Sequence, residues 1–171
     1  MKPIILLSGP IGAGKTTVAR ELVACSAGPV TYIEGDMFWS HIIRGAGHRH
    51  KNFRMVMTAM VAAAVPYSLY DYETLLDFSV PPWFLETVDK IVRQKEVPVD
   101  YVVLRPAEPV CAARAAGRME GAIRDYAACL ELYADFKDVA RRHVLANDDT
   151  DAAVVARQIR EGLDEGKFRL L

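Results

Sequence analysis

The chain has 171 residues, enough for one globular domain and its core but too few for two independent domains. Its 51% hydrophobic content with 25% charged residues excludes a disordered chain, and 21 basic against 22 acidic residues leave no overall field to draw it onto nucleic acid or an anionic membrane. Three scattered cysteines without Cys-x-x-Cys spacing suggest neither a disulfide framework nor a zinc site, so a reducing cytosol is the expected compartment. No stretch reaches the roughly 20 apolar residues that span a bilayer.

In chain order, Ile4–Leu7 reads as a short strand buried on both faces, followed by a helix from Lys15 to about Ala24. Val30–Ile33 is a second strand. Asp36 should cap a helix over Met37–Arg44 that stops near Gly45. A helix from about Asn52 carries Phe53, Val56, Met57, Met60, Val61 and Ala64 at helical spacing and should stop at Pro66. Thr74–Phe78 is a third strand, after which Pro81-Pro82 opens a helix through Arg93. Asp100–Leu104 is a fourth strand and precedes a helix from Pro106 to Arg114 or beyond. A long helix is expected from about Ile123 to Arg142, then a short strand His143–Ala146 and a last helix Asp151–Gly162. Strands alternating with helices imply right-handed crossovers and an α/β fold with a parallel sheet covered on both faces.

Between the first strand and first helix stands Gly9-Pro10-Ile11-Gly12-Ala13-Gly14-Lys15-Thr16, followed by Thr17. This matches Gly-x-x-x-x-Gly-Lys-[Ser/Thr], in which the glycines let backbone N–H groups turn inward onto phosphate oxygens and the helix N-terminus adds its dipole. Lys15 can reach the β- and γ-phosphates, and the Thr16 hydroxyl suits Mg2+. A nucleoside triphosphate, taken as ATP, is the implied ligand. Asp36 lies at the carboxyl end of the second strand, where parallel sheets meet their ligands, so it can take a proton from an acceptor hydroxyl. Asp77 closes the third strand after Leu75-Leu76, the position of a carboxylate near the metal. Ser79 and Trp83 lie just beyond it, as candidates to line an acceptor pocket. Arg114 and Arg118, four apart, share one face if their helix continues, and suit a transferring phosphate. Arg105 and Arg124 are further candidates. A basic insert, His48-Arg49-His50-Lys51 with Arg44 and Arg54, can meet an anionic acceptor or simply be solvated.

Gly9–Thr16, Gly35-Asp36 with Phe38-Trp39, Leu76-Asp77, Tyr101–Arg105, the Arg114 and Arg118 pair and the tail Gly166–Arg169 together resemble the small P-loop kinases. The nearest set is that of chloramphenicol phosphotransferase, shikimate kinase and gluconate kinase, bordering on the kinase part of polynucleotide kinase and on zeta-type toxins. The resemblance implies a three-layer P-loop NTPase of the nucleoside monophosphate kinase-like kind, a single domain over 1–171 with five parallel strands in order 2-3-1-4-5. It further implies an acceptor-binding helical insert over about 37–70, to which Trp39, Arg44 and Arg54 would contribute, and a lid over about 114–124. Asp36 is then the base, Arg118 a lid arginine, Arg114 an adenine or phosphate contact, and Asn147–Thr150 the loop under adenine. The chain lacks the Asp-x-Asp and Gly-Gly-Gly of shikimate kinases and the Asp-Arg-x-Pro-Trp of gluconate kinases. The expected activity is therefore Mg2+-ATP-dependent transfer to a hydroxyl of an unnamed small molecule, by a monomer or homodimer. A nucleotide or polynucleotide 5′-hydroxyl kinase and a non-catalytic nucleotide-dependent module are the alternatives. Segments 45–51 and 117–121 are expected to be mobile.

Overall fold

The structure is a computed structural model that describes residues 1–45, 47 and 49–170, with Arg49 described in its backbone alone. Five parallel strands, β1 (Ile4–Ser8), β2 (Val30–Glu34), β3 (Glu73–Asp77), β4 (Val99–Leu104) and β5 (Val144–Leu145), form one sheet in the order β2-β3-β1-β4-β5. The expected topology is the observed one.

The continuous apolar runs are explained by burial on both faces of this sheet. Ile4 and Leu6 of β1 and Val99, Tyr101 and Val103 of β4 point into one core, where α3 (Arg49–Leu69) supplies Val56, Met57, Met60, Val61 and Ala64. The same core takes Val88 and Val92 from α4 (Leu85–Val92). Ile5, Leu7, Val102 and Leu104 point the other way, against Val18, Ala19 and Leu22 of α1 (Lys15–Ala24) and Val155, Ala156 and Ile159 of α7 (Ala152–Asp164). The period of two in the strands thus sorts neighbouring residues between two cores.

Several boundaries differ from those the sequence suggests. The helix α2 (Asp36–Ser40) has Gly35, not Asp36, as its N-cap, and stops well before Gly45. Gly35 N–H bonds the Asp77 carbonyl at 2.9 Å and continues the β2–β3 ladder by one residue. That glycine is packed so tightly that a Cβ would lie 2.5 Å from the Phe78 ring. The helix ends because the Ser40 hydroxyl and His41 Nδ1 both reach the Met37 carbonyl, competing with the backbone donor that would extend it. By contrast, α3 runs through Pro66 to Leu69: in the last turn the missing N–H forfeits one bond, and Tyr70 N–H still reaches the Pro66 carbonyl. Pro82–Phe84 is a 3₁₀ turn before α4.

The largest correction is the long helix expected over 123–142. The chain there forms a 3₁₀ turn at Tyr126–Cys129, the short α6 (Leu130–Ala134) and a second 3₁₀ turn at Arg141–His143. Asp125 caps the first turn by accepting from Ala127 N–H, and the tyrosines at 126 and 133 are pulled apart onto the carbonyls of Ile11 and Pro106, at 2.6 and 3.0 Å. Those long-range bonds outweigh the apolar spacing. Similarly α5 (Glu108–Ala116) ends at Gly117, so Arg118 lies outside the helix that carries Arg114.

Candidate functional site

The loop from Gly9 to Gly14 leaves β1 and enters α1 at the carboxyl end of the sheet. Gly12 has φ +82°, and a Cβ there would lie 2.1 Å from the Cys111 carbonyl oxygen, so only glycine lets the loop rest on α5. The Tyr126 hydroxyl holds the same loop from outside through its bond to Ile11. Inside the curl, Lys15 Nζ donates to the carbonyls of Gly9 and Pro10 and to Ser79 Oγ, at 3.2, 3.0 and 3.0 Å. Burial holds its ammonium pKa below the ordinary 10.5, with Asp77 and Asp36 pulling upward and Arg118 adding to the depression. A lysine in that condition gains from an anion.

Ser79 is brought to Lys15 by the chain leaving β3. Phe78 N–H donates to the Leu7 carbonyl, Val80 N–H to Ser8 Oγ, and Val80's own carbonyl accepts from Ser8 and Tyr101 hydroxyls at 2.8 and 2.7 Å. The buried Asp77 carboxylate accepts from the Thr16 hydroxyl at 2.7 Å and from the Tyr32 hydroxyl at 3.0 Å. Burial, together with the Asp77 charge, drives the Tyr32 phenol well above its usual range, which keeps it a donor. Glu34 is raised by burial and by the carboxylates of Asp77 and Asp36, against Arg20.

On the far side, Arg114 Nη2 donates to the carbonyls of Asn147 and Asp148 at 2.8 and 2.6 Å, and Asn147 Nδ2 to Ala13 at 2.9 Å. Arg114 Nη1 and Asn147 Oδ1 are buried with no hydrogen-bond partner among the described residues. Both residues line a cavity of about 730 Å³ that also takes in Lys15, Thr16, Thr17, Asp36, Asp77 and Arg118. One of the two atoms is a donor and the other an acceptor, and buried polar groups ordinarily find a partner in protein, water or ligand.

A second cavity of about 680 Å³ adjoins the first, and Ile11, Asp36, Phe78 and Ser79 line both. Trp39, Phe53, Phe78 and Trp83 are among the residues that line this second cavity. Trp39 stacks on Phe53 at 6.5 Å between centroids, Phe53 meets Phe78 at 5.5 Å and Trp83 at 6.3 Å, and Trp83 Nε1 donates to Asp135 at 3.0 Å. Asp36 is exposed at the junction.

Residues 5–99 match the sequence profile of the ATPase family associated with various cellular activities (AAA). The chain belongs to that family. No curated protein matches the sequence of this AAA chain. Among solved structures, the fold is similar to the tunicamycin resistance protein of Deinococcus radiodurans, at TM-score 0.73 and 18% identity over 95% of this chain and 96% of that one. It is also similar to the Mycobacterium tuberculosis APS kinase CysC in complex with AMPPNP and APS, at 0.75 and 14% over 95% and 98%. A gluconokinase from Sinorhizobium meliloti aligns at 0.66 and 16% over 95% and 92%.

In this AAA chain, Ile11, Gly12, Gly14, Lys15, Thr16 and Thr17 of the phosphate loop meet Asp36, Asp77, Ser79, Arg114 and Arg118 around one cavity, Gly9, Pro10 and Ala13 do not line it, and Trp39 and Trp83 line its neighbour. Arg54 does not line either: its guanidinium stacks 5.2 Å from the Trp83 ring and 5.8 Å from that of Phe84. Arg44 is exposed and lines neither cavity, because α2 ends before reaching it. Arg105 lies 4.8 Å over the Tyr133 ring, and Arg124 is exposed away from both cavities. His48 of the basic insert falls outside the described residues, as does Ala46 within the 45–51 segment. Tyr32, Tyr126, Glu131 and Asp135 are functional candidates that the sequence left unmarked. Tyr32, two residues before Glu34 on the same strand, carries the one usable signal, the strand period.

Proposed function

We propose that this chain is an ATP-dependent phosphotransferase that moves the γ-phosphoryl group to a hydroxyl of a small-molecule acceptor. The observation that carries this reading is the position of Asp36 on the wall shared by two adjoining cavities, one lined by Lys15 and Thr16 and the other by Trp39, Phe53 and Trp83. A nucleotide-regulated module has no use for a carboxylate there. In this reading the loop N–H groups and Lys15 take the phosphates, and Arg114 Nη1 with Asn147 Oδ1 gain partners from the nucleotide. The acceptor lies in the second cavity with its hydroxyl toward Asp36. As its oxygen bonds the γ-phosphorus and the bond to ADP breaks, the hydroxyl proton passes to the Asp36 carboxylate. Lys15, Arg114 and Arg118 face the charge that spreads over the phosphoryl oxygens.

The oxygen pair of Thr16 and Asp77 suits magnesium, which takes few protein ligands and fills its octahedron with phosphate oxygens and water. Among the described residues there is no cluster of three or more His, Cys, Asp or Glu that would hold a metal unaided. When bound, magnesium supplies charge neutralisation at the β- and γ-phosphates. Segment 114–124, with Arg118 near its middle, acts as the lid that keeps water from the transferring group. Among the described residues no helix is long and apolar enough to cross a membrane.

The test is incubation with γ-labelled ATP and a panel of hydroxyl compounds. Label is expected to move onto an alcohol; ATP binding with label appearing in no acceptor, only in free phosphate or nowhere, would refute the reading.

A further inference from the structure

Charge distinguishes the second cavity from the first. Among the described residues no lysine or arginine lines it, whereas Asp36, Glu131 and Asp135 do, and His50 is the one basic ring, 5.5 Å from Trp83. Glu131 and Asp135 stand four apart along α6 and its C-cap, so they share one face. Asp135 spends one oxygen on Trp83 Nε1. Neither forms an ion pair among the described residues. Opposite them stand the Trp39 indole and the rings of Phe53 and Phe78, whose negative faces attract a cation and whose area covers an apolar body, with Trp83 beside them already carrying the Arg54 guanidinium 5.2 Å from its ring.

Resting on the kinase reading, we propose that the acceptor is a cationic hydroxyl compound, an amine-bearing alcohol with a flat apolar body. Its ammonium group lies between Glu131 and Asp135, its body between the aromatic rings and its hydroxyl beside Asp36. The same wall repels carboxylate, sulfate or phosphodiester acceptors. Like-charged carboxylates on one helix face disfavour each other when no cation stands between them, and a bound ammonium relieves that repulsion. The specificity wall is therefore the segment that replaces the expected long helix. Its residues select the acceptor, while those of the phosphate loop select the donor.

The chain's two tryptophans both line this cavity, so tryptophan emission, excited beyond the absorption of the seven tyrosines, reports on it. Phenylethanolamine, N-acetylphenylethanolamine and mandelate carry the same ring and hydroxyl with positive, zero and negative charge. Titrated against the whole protein with Mg2+-ADP present, the amine is expected to bind about fivefold to tenfold tighter than the neutral amide, and mandelate weakest. The double variant Glu131→Gln with Asp135→Asn, which keeps an acceptor for Trp83, is expected to erase the preference for the amine; its circular dichroism and ADP affinity check the fold. Equal binding of the three probes, a preference for mandelate, no response to any of them, or a preference that survives the double variant would each overturn the proposal. Labelled ATP separates this from the kinase reading. Transfer to neutral or anionic alcohols as readily as to amines would refute the cation preference and leave the kinase standing. Selective amine binding without transfer to any alcohol would do the reverse.

Discussion

Replacing Gly12 by alanine tests how closely the phosphate loop is tied to α5. The new Cβ would lie 2.1 Å from the Cys111 carbonyl oxygen and 2.8 Å from its carbon, both backbone atoms, at a φ of +82°. An L-residue in the left-handed region costs about 1–2 kcal/mol, and overpacking against a fixed backbone about 1–3 kcal/mol more. Together that is about 2–5 kcal/mol, to be lost from the fold or from the loop's geometry. In a domain of this size each kcal/mol lowers Tm by about 2–4 °C, so a fall of about 4–20 °C is expected if the strain is borne globally. If instead the loop swings off α5, Tm changes little, but Arg114, one turn after Cys111, no longer faces the loop and ADP affinity falls by at least tenfold. Differential scanning fluorimetry with and without ADP reads both quantities. A variant within about 1 °C and twofold of the parent in Tm and ADP affinity would refute the packing argument.

Three further outcomes follow from particular contacts. Tyr126→Phe removes the 2.6 Å bond to Ile11, costs about 1 kcal/mol, and should weaken ADP binding about fivefold in a calorimetric titration; unchanged affinity would show that the loop is held without it. Burial raises the Glu73 carboxyl, but hydrogen bonds from Arg160 and Ser26 outweigh this and hold its pKa below 4.5. Its contribution is thus present above 4.5 and lost as pH falls through the folded value. Glu73→Gln should cost about 1.5–3 kcal/mol in urea unfolding at neutral pH, the half-buried Arg160 being left without its ionic partner. His143 Nδ1–H donates to the Tyr101 carbonyl and its Nε2 accepts from Arg142, so burial and the guanidinium keep the ring neutral and its pKa below 6.5. Because the unfolded chain takes up the proton first, stability should fall as pH drops below 6.5, by at most about 1.4 kcal/mol per unit. His143→Gln should flatten that slope, and an unaltered slope would assign it elsewhere.

The phosphate loop was legible because its chemistry is consecutive: a buried strand, three spaced glycines, then Lys15 and Thr16. Asp36 and Asp77 were legible for a related reason, since strand ends of a parallel sheet share one crevice. Their true partners were less so. Tyr32 meets Asp77 through pairing of β2 with β3, whose register the sequence does not state. Segment 123–142 misled because its apolar residues recur with a helical period. The hydroxyls of Tyr126 and Tyr133 and the Asp135 carboxylate are claimed instead by residues 115, 27 and 52 positions away. For Arg44 and Arg54 the sequence left an anionic acceptor and a solvated surface open, and the fold leaves Arg44 exposed and stacks Arg54 on an indole.

The central claim, that Asp36 takes the acceptor's proton between two cavities, is tested most directly by Asp36→Asn. In the transfer assay with labelled ATP, the variant should bind Mg2+-ADP as the parent does while turnover falls by about 10²–10⁴. Undiminished turnover, or ADP affinity lost in step with it, would contradict the account.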